Sequence, residues 1–369
     1  MGCMRLPFIN GDGKNGVDRE AAYGLIRYAT ANGINYFDTA LTYHGGESEA
    51  ILGEALANKP GLREKVWVTT KQPYTNQTHA DIRRNLEETL KKLRTSYLDM
   101  YFIHRIMPGN WDAIQENEIY ELYERFKAEG LIRHIGFSYH GNYDNFSQVV
   151  KRYPWDMCMV QHNLLDINRE VTSEGVHLAG VHGLALGIME PLRGGGLSHM
   201  PAPGAVSVVY DSYHVKRTPA QWAFRYLADK PEISVILSGM TTMEQLKANI
   251  EVFSQPDMLP GCLNAEEKAI LDQARKSYES VVTIPCTECN YCMPCPAGVQ
   301  IPAVLARYND AHRFGHHDQP RRSYMLMKNV NATVHQCTGC NACAPKCPQL
   351  LDVPQQLRIA HDMLDGWVE

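Results

Sequence analysis

Short apolar runs alternate with longer amphipathic stretches over the first 255 residues of the chain. The strand-like runs lie near Cys3–Leu6, Ile34–Thr39, Val66–Lys71, Leu98–His104, His134–Ser138, Met157–Gln161, Ala185–Glu190 and Ser234–Ser238. Most are nearly continuous in apolar residues, the pattern of parallel strands buried on both faces. Between them, Arg19–Asn32, Glu47–Asn58, Ala80–Lys92, Ile119–Glu129 and Pro219–Asp229 carry apolar residues at helical spacing. Eight strand–helix repeats in about 250 residues predict an α/β chain folded as a (β/α)8 TIM barrel rather than an open doubly wound sheet. No G-x-G-x-x-G follows the first strand, which counts against a dinucleotide domain of the Rossmann type. A further amphipathic stretch, Asn264–Ser277, reads as a linking helix.

A barrel also says where chemistry belongs, because the C-terminal ends of its strands line the active site. Those ends carry Asp38 with Tyr43 just beyond it, Lys71, His104, Ser138, Gln161 with Asn163, and Glu190.

The charge balance removes two classes of partner. Lys+Arg 36 against Asp+Glu 41 leaves a net charge of −5, without the basic footprint of a nucleic-acid binder. No apolar run approaches the roughly 20 residues of a membrane helix, and MGCMRLPFIN has no signal-peptide core. The expectation is a cytoplasmic protein with neither a nucleic-acid nor a membrane partner.

Cysteine adds a second theme. Of 11 cysteines, Cys3, Cys158 and Cys262 are scattered and read as small apolar residues, while eight fall in the last quarter. They form two runs, Cys286-Cys289-Cys292-Cys295-Pro296 and Cys337-Cys340-Cys343-Cys347-Pro348. The second is C-x2-C-x2-C-x3-C-P; the first is one residue shorter before its last cysteine. Disulfides would require export, and structural zinc prefers two well-separated pairs. Cysteines two residues apart instead fold around one iron–sulfur cube, and the fourth, before proline, reaches the neighbouring cube. The spacing therefore assigns Cys286, Cys289, Cys292 and Cys347 to one [4Fe–4S] cluster and Cys337, Cys340, Cys343 and Cys295 to the other. Residues 284–352 thus resemble a bacterial two-cluster ferredoxin domain. The 41 residues between Cys295 and Cys337 imply an inserted helical arm, with a helix at Pro302–His312. His312, His316 and His317 in this arm read as solvated rather than metal-binding. The expected organisation is a barrel at 1–255, a linking helix at 256–283, the cluster domain at 284–352 and a tail at 353–369.

The barrel residues suit carbonyl reduction. A hydride delivered to a carbonyl carbon leaves an oxygen that needs a proton. Tyrosine, with an ordinary pKa of about 10, becomes a better donor when an ammonium stabilises its anion. Tyr43, Lys71 and Asp38 supply the phenol, the ammonium and a carboxylate to hold it, and His104 can orient the carbonyl. Singly, Asp38 reads better as a loop cap and His104 as a core histidine. Four such residues in register favour a site.

In this order at successive strand ends, within FDTALTYHGGESEAILGEAL, VWVTTK and LDMYFIH, these residues resemble the aldo-keto reductase family over residues 1–255. The resemblance implies a (β/α)8 barrel using NADP(H) or NAD(H) on a small carbonyl or alcohol. It makes Tyr43 the general acid, Lys71 and Asp38 its tuners, and His104 the substrate-orienting residue. It further implies that Ser138 and Gln161 hold the nicotinamide carboxamide and that Met189 sits where an aromatic usually stacks on the ring. Leu192, Gly194 and Gly195 correspond to a diphosphate-binding loop, and Asn249 faces the adenine. The family's asparagine after the serine is Tyr139 here. Two positions that often carry cations for the 2′-phosphate are Gly239 and Gln245, with Arg193 as a compensating cation.

The two halves handle electrons differently, since a nicotinamide moves two at once and each cluster moves one. Three readings stand at this stage. The barrel works as a reductase while the clusters exchange electrons with a partner protein or a bound flavin; the clusters are structural; or the barrel is a docking module with little hydride chemistry.

Overall fold

The computed structural model describes residues 1–9, 16–200, 202–286, 288 and 291–365; Cys289 lies outside the described residues. Its strands are β1 (Tyr36–Asp38), β2 (Trp67–Gln72), β3 (Leu98–Ile106), β4 (Ile132–Tyr139), β5 (Met157–Gln161), β6 (Ala185–Met189) and β7 (Ile233–Ile236). Its helices are α1 (Arg19–Ala31), α2 (Ser48–Ala57), α3 (His79–Lys92), α4 (Trp111–Glu116), α5 (Ile119–Ala128), α6 (Tyr143–Arg152), α7 (Thr172–Val181), α8 (Gly204–Ser212), α9 (Pro219–Ala228), α10 (Met243–Phe253), α11 (Ala265–Ser280), α12 (Ile301–Phe314), α13 (Asp318–Lys328) and α14 (Val353–Asp365). The chain divides into two compact units, Met1–Pro191 with Phe224–Leu263, and Leu192–Ala223 with Asn264–Glu369.

In the first unit the strands pair in sequence order, β1 to β7, and every pairing is parallel. That order follows from strand–helix repeats, each helix returning the chain to start the next strand. The helix starts are legible in the sequence. Thr78 and Asp81 cap α3 reciprocally, as Thr242 and Gln245 cap α10. β2 and β3 are buried along nearly their whole length, and β2 thereby buries Thr69, Thr70, Lys71 and Gln72 as well as Val68.

The predicted first strand at Cys3–Leu6 does not form. In its place the backbone of Met1–Cys3 joins the two ends of the sheet. Gly2 N–H donates to Ser238 O at 2.9 Å, Cys3 N–H to Asp38 O at 2.8 Å, and Asp38 N–H to Met1 O at 3.0 Å. Beside this short bridge, a groove of about 360 Å³ lies between Tyr36 of β1 and Val235 of β7. The interior of the ring is filled by Met100, Phe102, Met157, Met159 and Leu237, a flexible, sulfur-rich packing.

The second unit contains no strand among the described residues. Its core is formed by Val304 and Leu305 of α12, Tyr324 of α13, and Leu357, Ala360 and Leu364 of α14, with the cysteine segments packed against it. Buried Asn309 accepts from Ile284 N–H at 3.1 Å and donates to Ile284 O at 2.8 Å, fixing the chain two residues before Cys286. No helix among the described residues is long and apolar enough to cross a membrane.

Candidate active site

Asp38 ends β1, Lys71 lies in β2, His104 lies in β3, and Tyr43 opens a single 3-10 turn at Tyr43–Gly46. The structure brings these four residues together. Lys71 Nζ donates to Asp38 Oδ1 at 2.6 Å, to Thr39 O at 2.8 Å and to Tyr43 OH at 3.2 Å. Its side chain is 1% exposed and that of Asp38 5%. The Tyr43 and His104 rings meet edge to face with centroids 6.0 Å apart.

Burial dominates the electrostatics. It opposes the Lys71 ammonium, but Asp38 and Tyr43 outweigh it and hold the lysine above its ordinary value. It lifts the Asp38 carboxyl, with Lys71 pulling the other way. It also lifts the Tyr43 phenol, and Lys71 moderates that rise without reversing it. The sequence expectation that lysine brings the phenol down therefore captures the smaller of two effects. Burial first, then Lys71, Arg105 and His140, pushes His104 down to about 3. At neutral pH the pocket thus holds a protonated phenol, a charged ammonium and a neutral imidazole.

The neighbouring strand ends supply amide and hydroxyl groups. Ser138 is fully buried, and its Oγ accepts from Arg105 N–H at 2.8 Å. Tyr139 faces away into α6: its OH donates to Asn142 O at 2.8 Å and its ring packs on Phe146. Gln161 and Asn163 both donate their side-chain N–H to Asp166 Oδ2, at 2.9 and 2.7 Å. Asp166 was not among the sequence-derived candidates. Its signal is the spacing in QHNLLD, which sets an acid five residues after the glutamine and three after the asparagine. Met189 is the register partner of Gln161 and borders the methionine-rich interior.

Beyond β7, Asn249 Nδ2 donates to Ser238 Oγ at 3.0 Å. Gln245 is committed to its own helix, where Oε1 accepts from Thr241 N–H at 2.8 Å and from Thr242 N–H at 3.3 Å. Gly239 is covered by Arg5, whose stem atoms stand 3.1–3.2 Å from where a β-carbon would be. Arg5 was also missed, because nothing local in GCMRLP marks it.

Leu192, Gly194 and Gly195 belong to the second unit. Gly195 N–H and Leu197 N–H both turn onto Leu192 O at 3.0 Å, so these amides are already used within the loop. The glycines have a packing reason. A β-carbon at Gly194 would stand 2.5 Å from Gln319 Nε2, and one at Gly196 would stand 2.6 Å from the Phe314 ring. Arg193 Nη2 lies 3.2 Å from Asp310 Oδ1, which Arg313 also meets at 2.6 Å, so Arg193 is not a mobile compensating cation. His316 and His317 are exposed, His316 stacking on His199 with centroids 3.6 Å apart, whereas His312 is half-buried in α12.

The described cluster cysteines gather around two small cavities of this unit. One is lined by Cys286, Cys292 and Cys347, the other by Cys295, Cys337, Cys340 and Cys343. Each therefore takes the last cysteine of the opposite run, the crossed grouping read from the spacing. Apolar residues such as Ile301, Leu305, Val353 and Leu357 close the walls. Thiols converging on an apolar-walled pocket suit an iron–sulfur cube.

Each half matches a known family separately. The aldo/keto reductase family model matches residues 8–259, and a 4Fe-4S dicluster domain model matches residues 285–351. The chain is 26% identical over 282 residues to the uncharacterized oxidoreductase YqkF of Bacillus subtilis, covering 68% of this chain and 85% of that one. It is 26% identical over 287 residues to the NADH-specific methylglyoxal reductase of Escherichia coli, covering 66% and 85%. The solved aldo-keto reductase AKR11C1 from Bacillus halodurans, in its holo form, superposes with a TM-score of 0.61 at 26% identity, over 74% of this chain and 90% of that one. With a parallel barrel, the Asp38–Lys71–Tyr43 cluster at its strand ends and a dicluster cysteine unit after it, this oxidoreductase belongs to the aldo/keto reductase family.

Proposed function

We propose that the chain transfers hydride between a nicotinamide dinucleotide, NADP(H) or NAD(H), and a small carbonyl compound or alcohol. Tyr43 serves as general acid in reduction and general base in oxidation. The observation that carries this reading is the buried Lys71 ammonium bonded at once to Asp38 Oδ1 and Tyr43 OH.

The bound dinucleotide supplies the hydride. This chain's residues do the rest. Tyr43 OH, kept protonated by burial, gives its proton to the carbonyl oxygen as that oxygen gains charge. Lys71, 3.2 Å away, stabilises the phenolate left behind, and Asp38 keeps the ammonium charged and fixed. Neutral His104, edge-on to Tyr43, offers one ring N–H to orient the carbonyl. Ser138 and Gln161 hold the nicotinamide carboxamide, with Asp166 fixing the glutamine so that its oxygen remains as the acceptor. The name of the E. coli relative supports a small, reactive aldehyde as substrate.

Cys286, Cys289, Cys292 and Cys347 would hold one [4Fe–4S] cluster, and Cys295, Cys337, Cys340 and Cys343 the other, each accepting one electron at a time. One observation favours a second reading, in which the clusters trade electrons with a partner protein or a flavin. Cys337 and Cys340 are exposed, which puts the second cluster within reach of a redox partner.

Both readings meet in one anaerobic assay that follows NAD(P)H oxidation and cluster absorbance together, for the wild type and for Tyr43→Phe. The proposal expects aldehyde-dependent oxidation that Tyr43→Phe removes while cluster absorbance stays intact. Wild-type turnover in the variant would refute the acid. Cluster bleaching by NAD(P)H without aldehyde would favour the second reading.

A further inference from the structure

We infer that Arg5 is the cation that receives a phosphate of the bound dinucleotide, an inference that rests on the hydride-transfer reading above. A dinucleotide brings two to four negative charges, and a site that holds it at neutral pH needs a positive partner. The cations suggested by sequence are not available. Gly239 and Gln245 are uncharged, and Gln245 is spent on the backbone of Thr241 and Thr242. The first turn of α10 is correspondingly closed, since Gln245 N–H is itself bonded to Thr242 Oγ1. Lys247 on the same helix lies over the Tyr28 ring. Arg193 is held against Asp310 with its side chain 10% exposed.

Arg5 lies where the missing cation is needed. Its stem runs across Gly239, with Cβ, Cγ and Cδ within 3.1–3.2 Å of the position a β-carbon would occupy. A larger residue at 239 would displace it, so the absence of a charged side chain there is what admits the arginine. Thr241 Oγ1 donates to Arg5 O at 3.2 Å, tying the arginine's backbone to the segment that precedes α10. Among the described residues the guanidinium meets one carboxylate, Glu190 Oε1, at 3.4 Å, with the two side chains 46% and 36% exposed. A long, half-exposed pair of this kind is weak and screened by solvent. A phosphate offers two parallel charge-assisted bonds in its place. Glu190 directly follows β6 and thus acts as the resting partner that Arg5 leaves when nucleotide binds.

Two phosphate groups share this chemistry, the diphosphate of both nucleotides and the 2′-phosphate of NADPH alone, and titration of the holoenzyme tells them apart. The dissociation constants of NADH and NADPH are measured by fluorescence for the wild type, Arg5→Ala, Arg5→Lys and Glu190→Gln, with kcat and KM in parallel. Arg5→Ala is expected to weaken binding by about tenfold or more. It should raise KM with little change in kcat and reduce the salt dependence of binding, whereas Arg5→Lys restores part of the loss. Glu190→Gln should tighten binding, an effect in the opposite direction that a general loss of structure would not produce. A loss confined to NADPH identifies the 2′-phosphate, and an equal loss for both identifies the diphosphate. If Arg5→Ala binds both nucleotides as the wild type does, the inference falls while the hydride reading stands. If the wild type binds neither, the hydride reading fails and this inference fails with it.

Discussion

Replacing Lys71 by methionine tests the centre of the site, because it keeps the length of the side chain and removes only the charge and the donors. Three hydrogen bonds vanish, to Asp38 Oδ1, Thr39 O and Tyr43 OH. What remains is worse than a missing bond. Asp38 is 4% exposed and its Oδ2 already has no partner among the described residues, so the carboxylate keeps its burial and loses its counter-ion. Breaking a buried pair from one side costs about 3–5 kcal/mol, against a total stability of about 5–15 kcal/mol for an ordinary domain. The carboxyl then gives up its charge, since burial already lifts its pKa and the opposing pull of Lys71 is gone. Removing both partners is far milder than removing one, so Lys71→Met combined with Asp38→Asn should recover most of the loss. The assay is urea unfolding of anaerobically purified protein by tryptophan fluorescence, with cluster absorbance as a separate readout of the second unit. A cost below about 1 kcal/mol for the single change would refute the buried-pair reasoning. So would a double variant no more stable than the single one.

Two further changes probe the cysteine pockets and the imidazole. Cys347→Ala should remove one cluster, about four irons, and adding Cys286→Ala should remove no more, whereas adding Cys337→Ala should take the second. Iron and sulfide analysis checks this, and a loss from Cys347→Ala plus Cys286→Ala that doubles the single loss would overturn the crossed grouping. His104 titrates near 3 in the folded chain, below its unfolded value of about 6.5, so the unfolded state binds more protons between these limits. Its contribution is complete well above pH 6.5 and fades on acidification, by up to about 2 kcal/mol between pH 6.5 and 5. Against His104→Gln, the wild type should therefore lose more stability over that interval in parallel urea titrations. Equal losses would show that the histidine is not held neutral by burial.

Much of the barrel was legible because its signals are local. The strand at Leu98–His104 and the helix at Ala80–Lys92 each declare themselves within one window of sequence, and the structure extends or trims them by a few residues. The cysteine spacing marks the dicluster segment for a similar reason, since thiols three residues apart come to one cavity. The four candidate residues stood out because they lie near or just beyond strand ends, parallel strands carry their C-terminal ends to one rim, and there the side chains meet. The first strand at Cys3–Leu6 failed as an expectation because its apolar text is satisfied by other means. Cys3 and Leu6 are fully buried, but the backbone pairing beside β1 is an isolated bridge of Gly2 with Asp38. Hydrophobicity reports burial, whereas pairing depends on which edges are open. The direction of Tyr43 was beyond the sequence too, because charge neighbours can be counted along a motif and desolvation cannot.

The glycine loop shows most clearly where residue types stop being informative. Three glycines after a strand mark a place where the backbone must turn sharply or be approached closely, and nothing in GGG says by what. A phosphate and a packed side chain make the same demand. Here Gly195 adopts a φ of 99°, a turn a larger residue resists, while Gly194 and Gly196 admit Gln319 and Phe314 of the arm. Those partners lie more than 115 residues along the chain, inside the stretch that separates the two cysteine runs. The arm therefore does more than lengthen that connection. Its Phe314 and Gln319 fill the space above the glycines and its Asp310 holds Arg193, so the loop that the family resemblance gives to the nucleotide is packed within the unit that gathers the cluster thiols. Arginine at 193 then serves packing, and the cation for the nucleotide has to come from elsewhere. Arg5 on Gly239 meets that need, so a gap in the family's pattern at one glycine and an occupied loop at another are two consequences of the same redistribution of charge.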